Sequence, residues 1–159
     1  MIGGVPSRPE WIAAGVIRLG CAAGGLPQRL WRLQSELATL VERLQPTNAA
    51  VESPYHGVNP RSSFQLAQAR GVVLAVLAGA DVDVTEYTPA TVKKAVTGNG
   101  RATKEQVRVM VTHMLGPQAR KGSNDLTDAL AVAVCHAGSS RHRELVQAAH
   151  ARPRRPHRA

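Results

Sequence analysis

Aromatic residues are scarce in this sequence: Trp11, Trp31, Tyr55, Phe64 and Tyr87 stand singly along 159 residues. That scarcity weighs against a single-strand binder, which stacks successive bases on aromatic side chains in one groove. Cysteine is nearly absent as well. Cys21 and Cys135 lie far apart with no Cys-x-x-Cys spacing, so neither a zinc site nor a disulfide framework is indicated, and buried free thiols are expected. No apolar run approaches the roughly 18 residues of a membrane span, and the first residues lack the basic-then-apolar layout of a signal peptide. A cytoplasmic protein without a membrane partner is expected. Acids are few too, eleven against twenty Lys and Arg, and the net charge of +9 points to a polyanionic partner, either nucleic acid or an anionic surface. What is plentiful is apolar side chain, 43% of the residues, enough for one folded domain with a sizeable core.

The apolar residues fall into an alternating order of elements. "WIAAGVIRL" at 11–19 reads as a strand and "CAAGGLPQ" as the turn leading out of it. Leu26, Leu30, Leu33, Leu37, Leu40, Val41 and Leu44 recur at helical spacing, and Pro46 closes that helix. "NAAVE" at 48–52 is a short buried strand ending in Glu52, and 62–80 is a helix with small residues on one face, suited to close approach by another helix. "DVDVTEY" at 81–87 is a further strand. "PATVKKAV" starts a helix at Pro89, "TGNGRATKEQ" is a Gly-containing loop, and 103–115 is another helix. Strands alternating with helices indicate an α/β domain with a largely parallel sheet. From Ser139 the chain turns Arg-rich and loses its apolar period, so a domain over 1–138 is expected, followed by a frayed helix and a basic, flexible tail over 139–159.

Two features of the acids stand out. "SNDLTDALAVAVCHA" at 123–137 sets Asp125 and Asp128 three apart at the start of a helix. Ser, Asn and Asp cap helices, and acids in a first turn suit the positive end of the dipole, so capping alone accounts for the pair. The same spacing also puts both carboxylates on one face, where they could jointly hold a divalent cation. Glu52 sits where a buried strand ends, the edge at which open α/β sheets gather ligands and catalytic groups. A lone Glu there more often marks the exit to solvent. His136 lies about two turns beyond Asp128, and among Ala, Val and Cys it reads as a packed histidine more readily than as a ligand.

Three separated stretches, "AAVESPYHGVNPRSSFQLAQARGVVLAVL", "TEYTPATVKKAVTGNGRATKEQV" and "NDLTDALAVAVCHA", resemble the RuvC family of Holliday-junction resolvases in order and spacing over about residues 10–138. The resemblance implies an RNase H-like fold, a mixed central sheet flanked by helices. It implies a homodimer that cleaves two like-polarity strands of a four-way DNA junction with Mg²⁺, two ions per active site, and branch-migration motor proteins as partners. By motif, Glu52, Asp125 and Asp128 take three of the family's four acidic positions as catalytic and metal-binding residues. Two carboxylate-held ions can activate a water, stabilise the pentacovalent phosphate and neutralise the leaving oxygen. Lys93 and Lys104 match lysines the family sets beside DNA, and Tyr55 an aromatic that touches bases at the junction. Arg70 and Arg101 are DNA-phosphate or structural ion-pair candidates.

The family's fourth acid belongs to a "GIDPG"-type first strand, and this sequence has no Asp before Asp81. Aligning "WIAAGVIRLG" with the family's third strand puts Met1–Gly4 near the end of the second, so the N-terminal strand is expected to be missing from this chain. Two readings follow, a gene start set too late or a damaged relative, and the first is the preferred expectation because a GTG valine codon misread as the initiator would yield "MI". The leading expectation is a structure-selective endodeoxyribonuclease acting in recombination and repair. A catalytically impaired junction-binding protein is its rival, because the basic face survives without the first catalytic Asp, and a general basic coater of nucleic acid is the third class.

Overall fold

The structure, a computed structural model, describes residues 1–5, 8–20, 25–53, 60–120 and 123–151. Its elements in chain order are β1 (Ile2–Val5), β2 (Arg8–Trp11), α1 (Gly25–Leu44), β3 (Asn48–Glu52), α2 (Pro60–Gly79), β4 (Asp83–Tyr87), α3 (Pro89–Thr97), α4 (Lys104–Leu115), a 3₁₀ turn (Pro117–Arg120) and α5 (Asn124–Ala151). β3 and β4 pair in parallel, Asn48 opposite Asp83 and Glu52 opposite Tyr87, with α2 as the crossover between them. β1 and β2 form an antiparallel pair with Ile2 opposite Trp11. Both kinds of pairing expected of a mixed sheet are present, but among the described residues they sit in two separate two-stranded sheets. A cavity of about 410 Å³ separates them, lined by Ile2 and Gly3 on one side and by Asn48, Ala49 and Ala50 on the other.

The strand expected over 11–19 is shorter and earlier than its composition suggests. Its residues past Trp11 lie outside the β1–β2 pairing, and Ile12 and Ala13 both turn their backbone N–H to Met1 O, at 3.3 and 3.2 Å. Among the described residues no further strand pairs with this stretch, and Ile12 and Val16 are about half exposed.

Alternation along β3 and β4 sends side chains to two cores. Ala49, Val51 and Val84 face Val41 of α1 and Leu77 of α2. Ala50 and Tyr87 face the larger core, where α3, α4 and α5 close around Val111, Cys135, Leu130 and Val96. Burial raises the Cys135 thiol above its ordinary pKa, as suits an inert core cysteine; Cys21 lies outside the described residues.

The helices on this side begin and end where their caps dictate. Thr88 accepts the Thr91 N–H ahead of Pro89, and Gly98 closes α3 at φ 78°, a conformation that favours glycine. Thr103 and Gln106 form a reciprocal capping box at the start of α4. α5 starts after Ser123, whose Oγ accepts the Leu126 N–H at 3.4 Å, and it passes Ser139 without a break to reach Ala151. Residues 152–159 of the expected tail lie outside the described residues.

Candidate active site

The parallel register places the first acid. Glu52 is the last residue of β3 and stands opposite Tyr87, whose side chain points into the core beneath α5; residues directly opposite share a face, so Glu52 emerges toward α5 as well. There it comes within electrostatic reach of Asp128. Burial, and after it the Asp128 charge, raises the Glu52 carboxyl above the ordinary glutamate range, while Lys104 and Lys93 act in the opposite direction. Two carboxylates and two lysines from four different elements thus converge on one end of β3. The Lys104 ammonium is 3.6 Å from Asp128 Oδ2, both side chains are well exposed, and the pair adds little to stability while neutralising part of the acidic charge.

Asp125 belongs to the first turn of α5 and is exposed. Among the described residues no three Asp, Glu, His or Cys side chains come close enough together to hold a metal, so Asp125 does not complete a cluster with Glu52 and Asp128. The donor set that is assembled, two mutually repelling carboxylates open to solvent, suits a hard divalent cation that keeps several waters and takes substrate phosphate as a further ligand.

The other sequence candidates divide clearly. Arg101 is exposed in the loop between α3 and α4, its backbone N–H held by Asn99 Oδ1 at 2.9 Å. That loop packs tightly, since a Cβ on Gly100 would come within 3.3 Å of Ala90 O. Tyr55 lies outside the described residues. His136 takes the packed role: its Nδ1 is 3.1 Å from the Tyr87 hydroxyl and its ring meets the Tyr87 ring edge-on. Arg70, a candidate phosphate contact, is instead turned inward, with its side chain 15% exposed. Nη2 lies 2.5 Å from Glu86 Oε1, and Nη1 donates to Glu52 O at 2.8 Å. Of its two sequence readings the structure gives the ion pair. Glu86 was not visible as a site residue in the sequence, because only the strand register shows that it borders the β3 terminus.

The raised Glu52 pKa sets a pH dependence. The folded protein holds this proton to higher pH than the unfolded chain does, so folding is favoured at acid pH and loses that contribution as pH rises from the ordinary glutamate value through the raised one. Glu52→Gln is therefore expected to melt higher than the wild type near pH 7 and to match it near pH 4, in thermal scans across that range.

Known proteins resemble this chain in sequence and in fold. The family described as crossover junction endodeoxyribonuclease RuvC matches residues 2–136. Crossover junction endodeoxyribonuclease RuvC of Polynucleobacter asymbioticus is 42% identical over 130 residues, 82% of this chain and 75% of that protein. Its counterpart in Anaeromyxobacter dehalogenans is 50% identical over 115 residues, 71% of this chain and 61% of that protein. Among solved structures, Thermus thermophilus RuvC in complex with Holliday junction substrate superposes with a TM-score of 0.82 at 27% identity, covering 89% of this chain and 86% of that one. The fold is therefore RNase H-like, the α/β class expected from the motifs.

Proposed function

This chain belongs to the RuvC family of crossover junction endodeoxyribonucleases, and on that footing we propose that it is a Holliday junction resolvase, a structure-selective endonuclease that cuts four-way DNA junctions. The observation that carries the reading is the electrostatic coupling of Glu52 to Asp128, from β3 and α5, beside Lys104 and Lys93. Glu52 and Asp128 would hold a divalent ion, Mg²⁺ by the chemistry of the donors, and Asp125, one turn before Asp128, would join them when DNA is bound. A second ion in each site is part of the same proposal.

When bound, the metal supplies an activated water and neutralises the leaving oxygen. The chain's own residues do the rest. Glu52 and Asp128 keep negative charge at the strand end, and their mutual repulsion favours a cation over an empty site. Lys104, largely exposed and only loosely held by Asp128, can turn to a DNA phosphate, with Lys93 and Arg101 as further phosphate contacts on the same side. Tyr55 is proposed to touch bases at the junction, and residues 139–159 to act as a basic arm beyond the 1–138 domain. Specificity would come mostly from junction shape.

A homodimer matches the two-fold pseudosymmetry of a four-way junction. α2 offers the surface for it: Phe64, Ala67, Gly71, Ala75 and Ala78 fall at helical spacing and are all exposed. Ala67→Glu and Ala75→Glu are expected to yield monomers in light scattering, since either buries an unpaired charge at a close-packed interface. Unchanged dimer mass in both would move the interface off this face. Branch-migration motor proteins are proposed as partners on the family resemblance.

The test is a labelled synthetic four-way junction titrated with Mg²⁺ beside a linear duplex of the same sequence. Nicks in two like-polarity strands of the junction alone are expected. Junction binding without nicking would support the impaired binder, and equal binding to both DNAs a general coater.

A further inference from the structure

We infer that Arg70 is a positioning residue of the active site, one that sets where the β3 terminus presents Glu52 by tying it to Glu86 on β4. The inference rests on the endonuclease reading above for its functional meaning, but its geometry stands independently. Arg70 comes from α2, on the face of the β3–β4 pair opposite α5, so it approaches the strand end from behind the carboxylates. One guanidinium nitrogen holds the Glu52 carbonyl at 2.8 Å and the other meets Glu86 at 2.5 Å. Register places Glu86 opposite Val51, the residue before Glu52, so the guanidinium bridges both strands at their ends.

This tie holds the backbone at the last residue of β3. Among the described residues the ladder continues past it to Ser53, whose N–H donates to Tyr87 O at 2.8 Å, and 54–59 lie outside the described residues. A planar guanidinium can hold a carbonyl and a carboxylate at fixed directions together, which a lysine ammonium cannot do with the same geometry. Its charge is answered by Glu86, and its influence on Glu52 runs through the backbone: the charges that shift Glu52 are Asp128, Lys104 and Lys93. Arg70 is for the same reasons a poor phosphate ligand, being largely buried and already paired.

Three variants of the full chain test this: Arg70→Met, which keeps length and loses both donors, Arg70→Lys and Glu86→Gln. The probe is Mn²⁺ alone, its free concentration followed by electron paramagnetic resonance, together with hydrogen exchange at the Ser53 amide and the salt dependence of junction binding without divalent metal. In Arg70→Met the Mn²⁺ dissociation constant is expected to rise about tenfold, the low end of what losing an orienting partner behind a metal ligand does. Ser53 exchange should quicken, and the salt slope should stay as in the wild type. Arg70→Lys should recover part of the Mn²⁺ affinity, and Glu86→Gln should weaken it by less than Arg70→Met.

A folded Arg70→Met with wild-type Mn²⁺ binding overturns the inference and leaves Arg70 a purely structural residue. A salt slope smaller by about one overturns it in favour of a phosphate contact. Should Arg70→Met not fold, Glu86→Gln decides: wild-type Mn²⁺ affinity and Ser53 exchange there also overturn it. Because Mn²⁺ binding is read without cleavage, a wild type that binds Mn²⁺ as expected yet cuts no junction would count against the endonuclease reading and not against this one.

Discussion

Asp128→Asn is expected to bind a four-way junction about as tightly as the wild type while cutting it more slowly by at least about a hundredfold, because even orienting partners behind metal ligands cost roughly 10–100-fold when removed and Asp128 is proposed as a direct ligand. The amide keeps the volume of the carboxylate and removes its charge. Two side effects make the result readable. Asp128 raises the Glu52 pKa, so its neutralisation lets Glu52 fall back toward the ordinary glutamate range. The lost ion pair with Lys104 is exposed and worth little, so the melting temperature should hold or rise slightly. Single-turnover cleavage and junction binding measured on the same preparation check the split, and cleavage at the wild-type rate would remove Asp128 from the site.

How much of this was legible in the sequence follows from which forces act locally. α1 could be read because Leu26 to Leu44 repeat at helical spacing and Pro46 stops the run, and the structure has it over Gly25–Leu44. "NAAVE" could be read as a strand to its last residue because turn-forming residues bracket it, and Glu52 could be singled out as its exit. The acidic pair at the start of α5 was visible too, but only the fold distinguishes its members. Asp128 faces Glu52 and Lys104, whereas Asp125 remains in the exposed first turn, and the cap itself is Ser123. The stretch at 11–19 differs from its composition because β-propensity is a statement about neighbours, and among the described residues only its first residue, Trp11, lies in a strand pair. The Arg70 tie was hidden for a similar reason. Its partners, Glu86 and the Glu52 carbonyl, become neighbours only through a parallel register that no local pattern announces. Lys93 and Lys104 came from the family resemblance, and it is tertiary packing of α3 and α4 on α5 that brings both within electrostatic reach of Glu52.

Those lysines carry the second large effect. A chain with net charge +9 that neutralises six or so phosphates should lose junction affinity by on the order of a thousandfold between 50 and 200 mM salt, since each released counterion adds about 0.9 to the slope of log K against log salt. Lys93→Gln combined with Lys104→Gln should lower that slope by about two, leaving a fall of on the order of a hundredfold over the same range. Lys104 is the more revealing of the two positions. In the free protein its ammonium rests 3.6 Å from Asp128, so a phosphate must compete with that carboxylate for it, and metal at the carboxylates releases it. Occupation of the acidic pair should therefore strengthen the Lys104 contribution to DNA binding. Fluorescence anisotropy with a labelled junction, measured across salt in the presence and absence of Ca²⁺ as a bound but poorly catalytic ion, reads both quantities. The Lys104→Gln variant is expected to lose the Ca²⁺-dependent gain while Lys93→Gln keeps it. Equal gains in the two variants would mean that Lys104 does not exchange Asp128 for phosphate, and that the lysine serves only to hold the acidic pair together.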